Sequence, residues 1–389
     1  MIVRHIEKEI IDGLNLQPSI AILGPRQVGK TTFVKHLIVK LAKPAIYLDL
    51  ENSQDLVKLQ HDRVAYLETK QDETVILDEI QRLPEIFPDI RGMIDRNRVP
   101  GRFIFLGSAS FVLLKNTSES LTGRIAYFEM TPLLFTELPI KDYKKHWLLG
   151  GFPNAFLANT IKLNRKWYDD FIRSYLERDL PMLGLIASPI QLRRLLMMIA
   201  SMQGKLLNQE TMANSLGIRN GLVSKYLDFF EQSFLIRRLQ PYFTNIGKRL
   251  VKTPKVYIRD SGIVHTLLAI NDFDSLLGHI NSGGSWEGYV IEQIIAKLNY
   301  NQIPFFYRTA DGAELDLVIE ENLQIKLAVE IKLNNSPSIE KGNTIAINDL
   351  GNPPLLIITP SATDYSPRPN VYICSIATLD EHLKRFLSV

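Results

Sequence analysis

Gly24-Pro25-Arg26-Gln27-Val28-Gly29-Lys30-Thr31 is the stretch that decides the fold of this chain, because it fits the P-loop pattern G-x-x-x-x-G-K-[ST] at every position. An apolar run at residues 19–23 precedes it and predicts a buried strand, and residues 32–42 place apolar side chains at helical spacing. A strand, a glycine-rich turn and a helix in this order direct backbone N–H groups and the positive end of the helix towards a phosphate group. The stretch therefore predicts a nucleotide-binding α/β domain rather than a turn that fits the pattern by chance.

The residues of the loop have distinct expected roles. Lys30 is expected to reach the outer phosphates of ATP, and the Thr31 hydroxyl is expected to bind Mg²⁺. The full set of expected ATP contacts adds one serine from a later strand: Gly24, Pro25, Arg26, Gln27, Val28, Gly29, Lys30, Thr31, Thr32 and Ser108. ATP and Mg²⁺ are therefore the expected cofactors.

A second strand with an acidic end predicts hydrolysis of the bound nucleotide. Residues 74–79 are apolar or β-branched apart from their two final carboxylates, as in a buried parallel strand whose ligand-binding edge is acidic. Asp78 is expected to hold Mg²⁺ through its water shell, and Glu79 is expected to polarise the attacking water as general base. Two carboxylates at the end of a strand can also be simple solvent-exposed charges. A complete P-loop earlier in the chain favours the catalytic interpretation.

The next two strands carry further candidate residues. Residues 102–107 end beside Ser108 and Ser110, and either serine would orient the water or sense the γ-phosphate, unless both only form a turn. Arg124 precedes a strand at 125–130 and is a candidate for stabilising charge on the transferred phosphoryl group, in its own subunit or in a neighbour within a homo-oligomer. A surface arginine explains the same residue. Strands that alternate with helices through short connections predict a doubly wound parallel sheet.

Length and composition give the broader class. A chain of 389 residues exceeds one ordinary core and predicts about two to four domains. Its 46% hydrophobic and 22% charged residues are typical of a soluble globular protein. The single cysteine, Cys374, excludes an internal disulfide framework and fits a cytoplasmic location. We expect no membrane span, since no apolar run is long enough, and residues 1–12 predict an amphipathic helix rather than a signal peptide.

Several motifs together give the chain a resemblance to a known family. The matching stretches are residues 24–32, Leu77-Asp78-Glu79-Ile80-Gln81, Leu121-Thr122-Gly123-Arg124, Pro132-Leu133-Leu134-Phe135-Thr136-Glu137, Gly150-Gly151-Phe152-Pro153 and Tyr175-Leu176-Glu177-Arg178-Asp179. With them the chain resembles a large bacterial and archaeal family of AAA-type ATPases that carry a C-terminal domain of unknown function. The resemblance covers nearly the whole chain and implies an AAA-like ATPase in which Arg124 is a trans-acting or sensing arginine. It implies no substrate.

The middle of the chain predicts a winged helix. Predicted helices at 209–216 and 221–231 are separated by a short turn, as in a helix-turn-helix. The residues where such a unit meets DNA are Arg219, Asn220, Ser224 and Lys225. The following stretch, residues 237–259, has seven basic residues and no acidic one: Arg237, Arg238, Lys248, Arg249, Lys252, Lys255 and Arg259. Like charges on a β-hairpin wing repel one another unless they face a polyanion, so this basic stretch favours DNA over a protein partner.

The last third of the chain brings carboxylates and a lysine onto one predicted surface. Two stretches of alternating residues that flank Leu323 predict a β-hairpin. If this hairpin is symmetric about Leu323, Asp316 lies across from Glu330, and the period of two puts Lys332 on the same face. Ordinary solvent-facing charges on a half-exposed strand would give the same pattern.

An Asp followed by Glu-x-Lys, with a glutamate on a preceding helix, resembles the active frame of restriction-endonuclease-like enzymes, including archaeal Holliday-junction resolvases. Glu287 fits the helix position better than Glu292, because it stands at the start of the helix. The resemblance implies that Asp316 and Glu330 bind Mg²⁺ and that Lys332 positions or activates the water. The same fold also serves as a non-cutting module, so nuclease activity stays open.

The sequence therefore predicts four domains. They are an AAA-like ATPase domain at 1–140, a helical region at 141–203, a winged helix at 204–259 and a restriction-endonuclease-like α/β domain at 260–389. The predicted function is an ATPase that couples nucleotide turnover to DNA binding or processing. The alternatives are a nucleotide-switched binding or regulatory protein with a catalytically inactive C-terminal recognition module, and a DNA-binding regulator with weak turnover.

Overall fold

The computed structural model describes residues 2–108, 121–243 and 250–387. They form an N-terminal unit, Met1–Leu133 with Gln232–Phe234, and a C-terminal unit, Leu134–Glu231 with Leu235–Val389. Three residues singled out in the sequence lie outside the described residues: Ser110, Lys248 and Arg249. No helix within the described ranges is long and apolar enough to span a lipid bilayer.

The N-terminal unit alternates strands and helices. Its strands are β1 Ser19–Leu23, β2 Ala45–Asp49, β3 Thr74–Asp78, β4 Phe103–Gly107 and β5 Ile125–Glu129. Its helices are α1 Glu7–Leu16, α2 Lys30–Leu37, α3 Ser53–Lys58, α4 Arg63–Glu68 and α5 Phe87–Arg96, with 3-10 turns at Ile38–Lys40, Ile80–Arg82 and Pro84–Ile86. The helix predicted at residues 1–12 therefore begins later, at Glu7.

These five strands form one parallel sheet in the order β2-β3-β4-β1-β5. Every residue of β1, β3 and β4 is buried, as expected for central strands of a parallel sheet. The predicted α/β class is confirmed, and the sheet is consistent with a P-loop ATPase fold. Parallel strands end at the same edge of a sheet, so Asp78, which ends β3, lies at the same edge as Gly24 and Ser108, which follow β1 and β4.

The C-terminal unit combines helices with a mixed sheet. Its helices are α6 Tyr143–Leu149, α7 Pro153–Phe156, α8 Ile161–Ser174, α9 Leu180–Met182, α10 Pro189–Ser201, α11 Gln209–Leu216, α12 Asn220–Gln232, α13 Ser261–Leu267, α14 Phe273–Gly278, α15 Ser282–Ile295, α16 Lys341–Asp349 and α17 Leu379–Leu387, with a 3-10 turn at Phe135–Glu137 and a π-helical turn at Tyr175–Asp179. Its strands are β6 Ile236–Leu239, β7 Lys255–Ile258, β8 Gln302–Arg308, β9 Glu314–Glu321, β10 Gln324–Ile331, β11 Leu355–Thr359, β12 Tyr365–Arg368 and β13 Val371–Ser375.

The six C-terminal strands pair in the order β12-β13-β11-β10-β9-β8, while β6 and β7 form a separate antiparallel pair. The pairs β10–β11 and β11–β13 are parallel, and the other pairs of the larger sheet are antiparallel. Between β6 and β7, the chain also bonds to the edge strand β8, where the N–H of Tyr242 donates to Phe306 and the N–H of Val251 donates to Arg308. The segment that joins β6 to β7 is therefore attached to the sheet at both of its described ends.

The β9–β10 hairpin sets which carboxylates share a face. It turns at Asn322 and Leu323, both with positive φ, rather than symmetrically about Leu323. A β-bulge early in β10 then advances the register by one residue, and this register, continued by one residue, sets Glu330 opposite Asp316. Because a shift of one residue reverses the faces of a strand, the bulge is what puts these two carboxylates on the same side.

Buried polar contacts hold the helices of the C-terminal unit together. The rings of Trp147 on α6 and Trp286 on α15 meet edge to face, with centroids 5.1 Å apart. The Trp147 indole N–H donates to Ser285 Oγ at 3.1 Å, and His265 Nε2 lies 2.8 Å from the same oxygen. Burial lowers the pKa of His265 to about 3, so this imidazole is neutral and serves packing.

We expect Gly24→Ala to destabilise the protein more than the matched change Gly29→Ala. Both glycines have positive φ, of 154° and 94°, where another residue costs about 1–3 kcal/mol. An added Cβ at residue 24 would lie 2.2 Å from the backbone oxygen of Met130, whereas no described atom lies within 4 Å of the Cβ position at residue 29. Urea unfolding followed by circular dichroism compares the two variants, and equal losses would show that the close approach at Gly24 is unimportant.

Candidate functional site

The P-loop connects β1 to α2 in a tight turn. Gln27 and Gly29 both have positive φ, and Lys30 is the first residue of the helix. The Lys30 ammonium donates to the backbone oxygens of Gly24 at 2.8 Å and Pro25 at 2.9 Å. Burial lowers the pKa of Lys30 to about 8, although the charges of Glu79 and Asp78 oppose the change. The loop therefore encloses a buried, readily titrated cation that bonds only to neutral acceptors of its own backbone among the contacts described.

Oxygen groups suited to Mg²⁺ meet beside this loop. The Thr31 hydroxyl donates to Asp78 Oδ2 at 2.6 Å, which joins the first turn of α2 to the end of β3. The same carboxylate oxygen accepts a bond of 2.5 Å from the Tyr47 hydroxyl, a contact that sequence reasoning missed. The only local signal for Tyr47 was a polar aromatic residue inside an apolar run. Hydroxyl and carboxylate oxygens are the ligands that Mg²⁺ prefers, so the residues fit the ion.

The predicted general base belongs to a small polar cluster at the same sheet edge. The Gln81 amide donates to Glu79 Oε2 and, at 3.1 Å, to Ser108 Oγ, and the Ser108 hydroxyl lies 3.3 Å from Glu79 Oε2. Glu79 itself has a φ of 53°, a left-handed conformation that is uncommon for non-glycine residues. The sequence analysis gave Gln81 no role beyond its place in a family motif. In the structure it contacts both Glu79 and Ser108.

One arginine outside the loop and one within it have different partners. Arg4 is buried, and its guanidinium donates to the backbone oxygens of Val28 at 3.1 Å and Thr131 at 2.5 Å. Arg26 of the loop is instead paired with Glu51 at 3.2 Å. The sequence predicted no structural role for Arg4, because the backbone oxygens to which Arg4 donates lie far from it along the chain.

Arg124 lies at the other end of the sheet from the P-loop. Its backbone oxygen accepts the N–H of Ser19, the first residue of β1, whereas Gly24 follows the last. A strand of five residues spans roughly 16 Å, which exceeds the reach of an arginine side chain. The guanidinium makes two hydrogen bonds to Asp95, at 2.6 and 3.0 Å. Action of Arg124 on a nucleotide in its own subunit therefore stays a prediction, and the position of Arg124 before β5, at the end of the parallel sheet opposite the P-loop, argues against it.

In the C-terminal unit, a cluster of carboxylates surrounds a lysine that the sequence assigned to DNA. The Lys255 ammonium on β7 lies 2.9 Å from Glu287 Oε1, 2.9 Å from Glu314 Oε1 and 3.5 Å from Asp316 Oδ1. The Tyr257 hydroxyl donates to the same Glu287 oxygen at 2.5 Å. We call Glu287, Glu314, Asp316 and Lys255 the Lys255 cluster. Lys255 is only 2% exposed, so it is part of the interior rather than of a DNA-binding surface.

The remaining residues of the predicted nuclease frame pair with each other. Lys332 lies 2.8 Å from Glu330 and 2.9 Å from Glu340. Burial, and then the charge of Asp316, raises the pKa of both Glu287 and Glu330 above the usual range of a glutamate. Within the described parts of the chain, no group of three or more His, Cys, Asp or Glu side chains is arranged to hold a metal ion. Binding of Mg²⁺ by Asp316 and Glu330 therefore stays a prediction.

The basic stretch is largely neutralised by carboxylates of its own unit, which corrects the charge argument for DNA. Arg237 and Arg259 both bind Glu292, whose pKa falls to about 2 because their charges outweigh the effect of burial. Arg238 pairs with Asp228 and Glu231. With Lys255, four of the seven basic residues have internal partners, and of the other three only the exposed Lys252 is described. A window of sequence without acidic residues could not reveal partners that lie elsewhere in the chain.

The two helices of the predicted helix-turn-helix are present as α11 and α12. Gly217 between them has a φ of 65° and ends α11. Arg219, Asn220 and Lys225 are exposed at the turn and the start of α12, whereas Ser224 is half-buried. Of the four residues predicted to contact DNA, Arg219, Asn220 and Lys225 are therefore exposed to solvent.

Comparisons with known proteins agree with the N-terminal geometry. Residues 16–139 match a family described as "AAA domain", residues 140–274 match "Domain of unknown function (DUF8612)" and residues 282–379 match "Domain of unknown function (DUF4143)". The Walker-type ATPase PABY2304 of Pyrococcus abyssi has a similar structure, with a TM-score of 0.50 and 16% sequence identity over 69% of this chain and 96% of that chain. This likeness supports the ATPase fold.

Relatives with higher sequence identity occur in mycobacteria. Uncharacterized proteins of Mycobacterium tuberculosis and Mycobacterium bovis are each 37% identical over 347 residues, which is 89% of this chain and 77% of each relative. An uncharacterized protein of Haemophilus influenzae is 25% identical over 267 residues, 63% of each chain. The chain therefore belongs to the family of these mycobacterial proteins, and it joins an AAA-type P-loop ATPase domain to two domains of unknown function.

Proposed function

We propose that this protein binds ATP on residues 24–32 and hydrolyses it with Mg²⁺ held by Thr31 and Asp78. The observation that carries this proposal is the 2.6 Å hydrogen bond between these two side chains, since it brings together the hydroxyl and the carboxylate that a P-loop ATPase needs. When bound, Mg²⁺ would neutralise charge on the β- and γ-phosphates and orient them.

Lys30 supports phosphate binding through the contacts that it would exchange. Its ammonium now bonds two neutral carbonyl oxygens, and an anionic phosphate oxygen is a stronger acceptor for the same donor. Exchange of one for the other favours the charged form, so ATP binding would raise the pKa of Lys30 from about 8. Arg4 would hold the loop in place meanwhile, because its partners are oxygens of the loop backbone and of residues 131–132.

The hydrolytic step is assigned to Glu79 as general base, with Gln81 and Ser108 as its positioning residues. The Gln81 amide nitrogen bonds both of the others, while its Oε1 is buried and has no hydrogen-bond partner among the described residues. A free buried acceptor is costly unless it is used in some state of the protein. Gln81 Oε1 would accept a hydrogen bond from one O–H of the attacking water, and Glu79 would take the proton of the other O–H as the water attacks the γ-phosphate.

Two substitutions separate binding from chemistry. Lys30→Ala is expected to abolish measurable ATP binding, because the loop loses its only described ammonium. Glu79→Gln is expected to keep ATP binding while turnover falls by about 10²–10⁴-fold, the usual size of general-base catalysis. Fluorescent nucleotide binding and phosphate release measure the two effects. Turnover of Glu79→Gln within a few-fold of the unmodified protein would remove Glu79 from the role of base.

A second candidate function, DNA binding coupled to ATP turnover, is supported by the exposed residues at the start of α12. Arg219, Asn220 and Lys225 form a small polar surface where a helix-turn-helix contacts DNA. The surface is smaller than the sequence suggested, because the neighbouring basic residues are paired internally. The rival is a nucleotide-switched binding protein whose partner is another protein. Arg124, if it acts in catalysis, would do so on a neighbouring subunit.

We expect the double change Arg219→Ala/Lys225→Ala to weaken duplex DNA binding and to reduce its salt dependence by roughly 0.9 logarithmic units per lost phosphate contact. Fluorescence anisotropy over a series of salt concentrations measures both. The matched control is Lys166→Ala/Arg194→Ala, which removes two exposed positive charges elsewhere in the C-terminal unit. Equal weakening by the two double variants would mean non-specific attraction, and no DNA binding by the unmodified protein would favour the protein-partner alternative.

A further inference from the structure

We propose that the Lys255 ammonium is the permanent cation of the Lys255 cluster, so that this carboxylate site works without a divalent metal and the C-terminal domain does not cut nucleic acid. The proposal concerns the C-terminal unit alone and holds whether or not the N-terminal unit hydrolyses ATP.

The number and placement of the donors match the acceptors. An ammonium has three N–H donors and no acceptor, and Lys255 faces three carboxylates, those of Glu287, Glu314 and Asp316. The contact to Glu287 is a hydrogen bond of 2.9 Å, the length of a good charge-assisted hydrogen bond, and the Glu314 oxygen forms an ion pair at the same distance. The carboxylates therefore already hold a charge of the opposite sign at bonding distance.

Backbone pairing on two sides fixes the main-chain position from which the Lys255 side chain reaches the carboxylates. Lys255 pairs with Leu239 of β6 and forms a bridge with Leu206 on the other side. Its neighbours are bonded too, since the N–H of Val256 donates to the oxygen of Lys205 and the oxygen of Pro254 accepts the N–H of Leu207. The lysine thus lies on a strand that is fixed along both edges.

Side chains then fasten this strand to α15, the helix that carries the predicted catalytic glutamate. Tyr257, two residues after Lys255, bonds the same Glu287, and Arg259, two residues further, bonds Glu292 one and a half turns along the helix. Alternate residues of a strand point to one face, so Lys255, Tyr257 and Arg259 act as one row. The contacts of Tyr257 and Arg259 therefore hold the strand that carries Lys255 against the helix that carries Glu287.

An ammonium in this position competes directly with a metal ion. Mg²⁺ needs oxygen ligands at about 2.0–2.1 Å in near-octahedral geometry, so an ion on the same carboxylate oxygens would lie close to, and be repelled by, the lysine ammonium 2.9 Å from Glu287. A displaced Lys255 would be a buried charge without a partner, which strongly disfavours exchange. The nearby Glu330 offers no free alternative, because Lys332 is bonded to it.

The test uses the nucleotide-free full-length protein and Mn²⁺ as the probe. Electron paramagnetic resonance counts bound Mn²⁺ in the unmodified protein and in Asp316→Asn, and the two counts are expected to be equal. Supercoiled DNA with Mg²⁺ should stay uncut. A Mn²⁺ site that disappears in Asp316→Asn, or Mg²⁺-dependent nicking that disappears in Asp316→Asn and persists in Lys30→Ala, would overturn the proposal.

A lysine-removing variant tests the same claim from the other side. Lys255→Met keeps most of the side-chain volume and leaves the carboxylates without their cation, so its urea midpoint should fall and Mn²⁺ should raise it again. The control, Lys252→Met, removes an exposed lysine three residues away and should change neither value. A folded Lys255→Met with an unchanged midpoint would show that the cluster does not depend on this ammonium, and a lowered midpoint that Mn²⁺ fails to raise would show that the ammonium does not occupy the place of a metal ion. If the variant does not fold, the comparison of unmodified protein with Asp316→Asn still decides.

Discussion

The hydrogen bond between Thr31 and Asp78 depends on a constraint that organises the whole N-terminal unit: parallel strands end at one edge of their sheet. Thr31 follows β1, and Asp78 ends β3, which is separated from β1 only by β4. Burial of these three strands fixes their ends, so the polar groups beyond them have defined neighbours. The ATPase chemistry assigned to this edge needs such fixed positions, because phosphoryl transfer relies on positioning and charge.

The C-terminal unit follows a different electrostatic rule, in which buried charges neutralise one another. Glu292 binds two arginines, and the Lys255 cluster sets a lysine among three carboxylates. Such ion pairs add little net stability compared with apolar packing, but removal of one partner leaves an unpaired buried charge. These ion pairs therefore fix the position of the β6–β7 pair against α15. A cluster that resembles a nuclease frame in sequence thus has a structural role in the folded chain.

Sequence reasoning succeeded where the chemistry is local and failed where it depends on distant partners. The P-loop, the acidic end of β3 and the parallel α/β sheet follow from short patterns, since a strand, a turn and a helix fix their own geometry. Arg124 precedes β5, so in a parallel sheet it lies at the end opposite the P-loop, and this signal was already present in the sequence pattern. The basic stretch was misread because Glu287, Glu292 and Glu314 lie outside it in sequence. The sequence placed Gln81 in a motif but predicted no role for it, because its contacts to Glu79 and Ser108 depend on the fold.

Proton uptake on ATP binding tests the central claim most directly, namely that the P-loop and its buried lysine grip the phosphates. At pH 8 about half of the Lys30 side chains are neutral, and contact with phosphate would raise their pKa, so each binding event should take up a fraction of a proton. Isothermal titration of Mg²⁺·ATP in buffers of different ionisation enthalpy measures this fraction. The account predicts uptake at pH 8 that vanishes at pH 6, where Lys30 is already charged. Binding without any uptake at pH 8, or no binding at all, would contradict it.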